Sequence, residues 1–164
     1  MEGLGNGLAL IGAAMAVFLA GAGSAVGIGI AGRAAAGVLT DKPERYGLNF
    51  IMVVLPGTQG FYGFLAGFLV LLNMNLFGEG GVRQLTWVQG LQVFAACLPI
   101  AVTGLISAIH QGRLCASGIL MAAKRPEMAF KAGVVYAVLV EVYAVLGLLI
   151  TMFIILMGGI FPQG

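Results

Sequence analysis

The stretch AGVVYAVLVEVYAVLGLLITMFIILMGGIFPQG, residues 132–164, contains a single acidic or basic side chain, Glu141, in a run that otherwise reads as membrane-spanning helix. An α-helix rises 1.5 Å per residue and needs about 20 apolar residues to cross the hydrocarbon core. Three more stretches without Asp, Glu, Lys or Arg exceed that length, residues 3–32, 46–78 and 84–112. Four spans occupy nearly the whole chain and leave no room for a soluble catalytic domain, so an all-α membrane protein with no catalytic chemistry of its own is expected. Composition agrees: 60% of residues are hydrophobic and 9% charged, with a mean hydropathy of +1.06, whereas soluble domains are about a quarter charged. The first run lacks a basic n-region, and its apolar part exceeds the usual h-region of about 7–15 residues, so it is read as the first helix and not as a cleaved signal peptide.

The other acidic residues, Glu2, Asp41, Glu44, Glu79 and Glu127, fall at the N-terminus or between the runs. Glu141 is therefore not a by-product of composition, and acids inside spans mark ion or proton pathways. Arg33, Lys42, Arg45, Arg113, Lys124, Arg125 and Lys131 flank or occupy the connections after the first and third spans, with only Arg83 on the opposite side. The positive-inside rule then makes both connections cytoplasmic and puts the termini outside. Arg33 and Arg113 come out fairly deep, either snorkelling to the headgroups or facing a lumen.

Sliding the chain on itself by 83 residues superposes Gly7 on Gly90, Gly21 on Gly104, Ser24 on Ser107, Gly29 on Gly112, Pro43-Glu44 on Pro126-Glu127 and Met74 on Met157. The chain reads as a duplicated helical hairpin: residues 1–83 with helices at about 7–40 and 46–77, and residues 84–164 with helices at about 85–122 and 128–161. Each half has two spans, so both enter the membrane in the same orientation, unlike inverted transporter repeats. The same offset places Thr58 on Glu141. Thr58 and Glu141 each follow their tip proline by 15 residues, and Gln111 precedes Pro126 by 15. All three thus lie about 22 Å from the tips, at one level.

The second span contains Leu55-Pro56-Gly57-Thr58-Gln59-Gly60-Phe61-Tyr62. Pro56 has no N–H and its ring clashes with the Met52 carbonyl, which predicts a local distortion with backbone oxygen exposed. Thr58, Gln59 and Tyr62 neighbour one another at helical spacing, and Gln111 and Glu141 join them at the same depth. The result is an oxygen-rich pocket with one negative charge, suited to a hard cation such as Na⁺, with a proton as the alternative. Read blandly, the polar groups supply only interhelical hydrogen bonds of about 0.6 kcal/mol each. That reading does not explain why so many converge on a carboxylate.

Gly21, Gly23, Gly27 and Gly29 on the first helix, and Gly63 and Gly67 on the second, are read as close-packing positions. The Gly27-x-Gly29-x-x-Gly32 pattern matches a dinucleotide fingerprint but follows no strand and lies within a span, so it is set aside. His110, the only histidine, reads as a packing or interface residue, Cys97 and Cys115 as buried small hydrophobes, and Pro99 as a bend in the third helix. Trp87 and Tyr46 suit aromatic belts at opposite faces. The basic connections lack stacking aromatics, so nucleic-acid binding has no support.

Together, Leu55 to Gly60 followed by Tyr62-Gly63-Phe64, Leu98-Pro99-Ile100, Gln111-Gly112, Lys124-Arg125-Pro126-Glu127 and Val140-Glu141 resemble the membrane rotor (proteolipid) subunit of V-type ATPases, most of all the K subunit of bacterial Na⁺-translocating enzymes. The resemblance covers nearly the whole chain. It implies a homo-oligomeric ring of ten or so copies, first and third helices inward and second and fourth outward, working with a stator membrane subunit and central-stalk subunits in a bacterial plasma membrane. It also implies a Na⁺ site made of the Leu55 backbone oxygen and the side chains of Thr58, Gln59, Gln111 and Glu141, with Tyr62 hydrogen-bonding the carboxylate and no organic cofactor. The full oxygen set favours Na⁺, since a proton needs only the carboxylate. H⁺ remains the alternative ion, and a small secondary transporter or channel, or a purely structural membrane protein, the alternative functions.

Overall fold

In the computed structural model, which describes residues 3–161, the apolar runs form four long helices: α1 (Leu4–Asp41), α2 (Pro43–Asn73), α3 (Trp87–Lys124) and α4 (Pro126–Met157). All four are long and apolar enough to span a membrane. The helix limits differ from the expected ones for local reasons. At the end of α2, Asn73 turns its side chain back onto the Leu69 carbonyl and Asn75 takes a left-handed φ of 56°, so the helix stops four residues before position 77. At the end of α4, Gly158 and Gly159 (φ 62°) stop it at Met157 and not at 161. Thr86 and Gln89 form a capping box, each side chain accepting from the other's backbone N–H, which fixes the start of α3 at Trp87. Proline opens both α2 and α4, at the position where a missing N–H costs nothing.

The two tips lie at one end of the molecule, because the Lys42 ammonium after α1 donates to the Ala123 carbonyl near the end of α3. The hairpins therefore run parallel. The termini themselves, residues 1–2 and 162–164, lie outside the described residues. The most extensive packing is between α1 and α3; α2 leans on α1, and α4 on α3. Backbone approaches backbone where α1 and α3 meet: a Cβ at Gly23 would lie 2.6 Å from the Leu105 Cα, and one at Gly112 only 2.5 Å from the Gly27 Cα. Gly63 and Gly67 let α2 settle against Ala16 and Ala13 in the same way. Within one chain, the expectation for Gly29 is corrected: a Cβ there meets nothing within 4 Å. Gly21, by contrast, faces α2, where a Cβ on Gly60 would stand 3.6 Å from the Gly21 Cα.

Two departures from regular helix were only half foreseen. Pro56 tightens Leu55–Gly57 into a 3₁₀ turn, after which α-helix resumes at Thr58. In α4, Ala129–Val134 is π-helical, widening the helix where Gly133 meets Gly118 and the Met52 sulfur. α3 runs through Pro99 as one α-helix, with Thr103 donating to the Pro99 carbonyl at 2.7 Å. The apolar interior falls into two clusters. One joins Ala9, Ala13, Ala16, Val70, Val93, Cys97, Ile100 and Ile155; the other joins Ala31, Ala35, Val38, Met52, Cys115, Ile119, Ala122 and Ala137. Residues 55–62, Gln111 and Glu141 lie between them along the helices. Outward faces are apolar, with Phe61 75% exposed and Phe153 55% exposed, as lipid requires.

Candidate functional site

The predicted polar residues come from α2, α3 and α4, and most are brought into one hydrogen-bonded network. The Gln59 carboxamide, fully buried, donates to the Gln111 oxygen at 2.5 Å. Gln111, also fully buried, donates in turn to one oxygen of Glu141 at 3.2 Å. The Tyr62 hydroxyl donates to the other Glu141 oxygen at 2.6 Å, a short contact of the charge-assisted kind. Three helices thus converge on a single carboxylate. Thr58 stands beside this chain without touching Glu141: its hydroxyl lies 3.0 Å from the Leu55 carbonyl and 3.4 Å from the Gln59 oxygen.

The Thr58 contacts matter for what the pocket can hold. A hydroxyl has one proton, so Thr58 can donate to only one of those oxygens, and its oxygen then faces the other as acceptor to acceptor. Leu55, Thr58 and Gln59 therefore present a cluster of oxygens of the kind that hard cations take as ligands. Charge points the same way. The only salt bridge among the described residues is Arg45 to Glu44 at 3.8 Å, so no cationic side chain of the chain neutralises Glu141. Arg113 is exposed on the opposite side of α3 from buried Gln111 and lines a groove between α3 and α4 together with exposed His110. Arg33 is likewise exposed, near Asp41 and Lys42. Among the described residues no three His, Cys, Asp or Glu side chains converge as a metal site. The donor set is one carboxylate among neutral oxygens, and its single charge matches a monovalent ion. Cys97 and Cys115 are free and buried within the apolar clusters.

Sequence reasoning missed one contact at this site. The Ser24 hydroxyl on α1 accepts the Gly60 N–H at 2.8 Å, next to the turn that bears Thr58. The signal for it was the superposition of Ser24 on Ser107, an unexplained polar repeat inside a span.

Comparison with known proteins adds an independent line. A family model for the C subunit of ATP synthase matches residues 11–70 and again residues 94–154. The two matches begin 83 residues apart, the offset at which the chain repeats. The V-type sodium ATPase subunit K of Enterococcus hirae is 44% identical over 148 residues, which span 90% of this chain and 90% of that one. The A-type ATP synthase subunit K of Methanocaldococcus jannaschii is 38% identical over 154 residues, 94% of this chain and 63% of that longer relative.

Proposed function

The chain belongs to the family of ATP synthase C subunits, and we propose that, as a membrane rotor proteolipid of a V-type ATPase, it holds Na⁺ at Glu141 and carries it through the bilayer. ATP hydrolysis is the work of other subunits. The single observation that carries the sodium reading is the set of neutral oxygens gathered on α2 near the hydrogen-bonded Glu141 carboxylate. Both of its oxygens accept hydrogen bonds, from Tyr62 and Gln111, and no cationic side chain answers its charge. A proton needs only the carboxylate, whereas the oxygens of Leu55, Thr58 and Gln59 gathered nearby are the ligands a hard cation takes. The oxygens of Leu55, Thr58 and Gln59 supply the rest of the ion's shell.

Energetics explain why the ion travels with the carboxylate. A charged side chain at the centre of a span costs about 2.5–3.5 kcal/mol even on the most lenient scale. Na⁺ on Glu141 is neutral overall and can cross lipid. Copies of the chain form a ring with α1 and α3 on its inner side, in keeping with the α1–α3 packing, and α2 and α4 face lipid or the stator membrane subunit. Where the stator presents a competing cation, Glu141 exchanges its ion. The basic tips lie on the cytoplasmic side of a bacterial plasma membrane and meet the central stalk.

The deciding measurement is modification of Glu141 by a hydrophobic carbodiimide. Na⁺ at fixed pH protects the carboxyl; protection by raised pH alone, with Na⁺ without effect, overturns the sodium reading in favour of H⁺. Tyr62→Phe, which removes one charge-assisted hydrogen bond of about 1.5–3 kcal/mol, is expected to raise the protecting Na⁺ concentration by roughly tenfold or more. A titration of labelling against Na⁺ checks this, and an unchanged midpoint removes Tyr62 from the site.

A further inference from the structure

We propose that Ser24 of α1 is a positioning residue for the sodium site, capping from outside the broken helix that bears Leu55, Thr58 and Gln59. The proposal rests on the sodium reading above. Its starting point is the interruption of α2: after the 3₁₀ turn Leu55–Gly57, a new stretch of α-helix begins at Thr58. The first N–H groups of any such stretch have no partner one turn back and ordinarily borrow a side-chain oxygen at the N-cap. The N-cap here is Gly57, which has no side chain, so no side-chain cap comes from within α2, although the Thr58 N–H keeps the Leu55 carbonyl as its acceptor. Ser24, 6% exposed, supplies a side-chain acceptor from across the helix interface, 2.8 Å from the Gly60 nitrogen. Gly60 leaves room for it, since a Cβ there would stand 3.3 Å from the Ser24 hydroxyl oxygen.

The second half of the chain acts as an internal control. Ser107 occupies the position equivalent to Ser24, but α4 runs unbroken as α-helix from Val135 to Met157 and has Tyr143 where α2 has Gly60. The buried Ser107 hydroxyl has no hydrogen-bond partner. The cap therefore occurs only in the half whose helix is broken, next to the turn that presents oxygens to the ion. Without it, the Gly60 N–H loses that acceptor in a low-dielectric interior, and the turn that Pro56 opens is held less firmly against α1. The Leu55 carbonyl and Thr58 hydroxyl are then less fixed in place. Through Ser24, α1, which gives no ligand, takes part in setting Na⁺ affinity.

The test compares Ser24→Thr with Ser24→Val in assembled ATPase. The two variants match in shape and differ only in the hydroxyl. Ser24→Val is expected to raise by about tenfold both the Na⁺ concentration that protects Glu141 from carbodiimide and the KM for Na⁺, with kcat at saturating Na⁺ retained. Ser24→Thr is expected to keep both near the wild-type values, and Ser107→Ala to leave them unchanged. Equal Na⁺ dependence in the Thr and Val variants overturns the proposal, as does an equal shift on Ser107→Ala, which makes the effect one of general packing. Wild-type labelling insensitive to Na⁺ overturns the sodium reading and this inference with it, whereas a sodium-sensitive wild type with an unshifted Val variant overturns this inference alone.

Discussion

Glu141→Gln is expected to abolish Na⁺-coupled transport while leaving an assembled ring. Glutamine has nearly the same shape and is neutral, so it suits the span at least as well as the acid it replaces. It can still accept from Tyr62 or Gln111 with its oxygen, but its amide nitrogen takes the place of one of the two accepting oxygens seen around Glu141. What disappears is the only negative charge in the pocket. Without it the Leu55, Thr58 and Gln59 oxygens must hold a desolvated cation unaided in a medium where the uncompensated charge costs several kcal/mol. ATP-driven Na⁺ uptake into vesicles should fall to that of vesicles lacking the complex, and carbodiimide should no longer label the protein. Uptake that survives the substitution would reduce the carboxylate to an incidental structural group, and uptake by the isolated protein without ATP would favour a secondary transporter.

The second large effect is structural. At Gly112→Val, the new Cβ would stand 2.5 Å from the Gly27 Cα, with more of Gly27's backbone equally close. Neither neighbour is the end of a flexible side chain, so α1 and α3 have to part. Overpacking in a rigid interior costs about 1–3 kcal/mol or more, and in a bilayer hydrophobicity does not press separated helices back together. Gln111 is the adjacent residue and the centre of the polar network, so displacing α3 breaks its bonds to both Gln59 and Glu141. The expected outcome is a sharp drop in thermal stability of the detergent-solubilised protein, with Na⁺ protection of Glu141 lost in whatever material survives. Gly37→Ala, where a Cβ meets nothing within 4 Å, should be neutral or slightly stabilising. Equal stability of the two variants would refute the close α1–α3 approach.

Much of this architecture could be read directly from the residues. Four charge-poor runs longer than a bilayer crossing leave the chain no alternative to four helices, because in hydrocarbon every backbone N–H and C=O must be satisfied within the span. The 83-residue offset placed the two tips at one end, and equal counts from the tip prolines put Thr58, Gln111 and Glu141 at one depth. Pro56 announced a break in α2. The glycines were less legible: Gly21, Gly23, Gly27, Gly63 and Gly67 meet neighbouring helices while Gly29 does not, since composition shows that a helix can be approached closely but not on which side.

Sequence by itself determined which residues make the spans, how many spans there are, and that one carboxylate lies midway along the last of them, level with hydroxyl and carboxamide groups. Those properties depend on hydropathy and on distance along a helix axis, both of which are one-dimensional. Tertiary structure decided the rotation of each helix about its axis. The 3₁₀ turn at Leu55–Gly57, the π segment at Ala129–Val134 and the glycine contacts of α1 with α3 together set that angle. It makes Gln111 the bridge between Gln59 and Glu141, turns Arg113 away, and brings Ser24 onto the Gly60 N–H, a contact between residues far apart in sequence that no count along either helix contains.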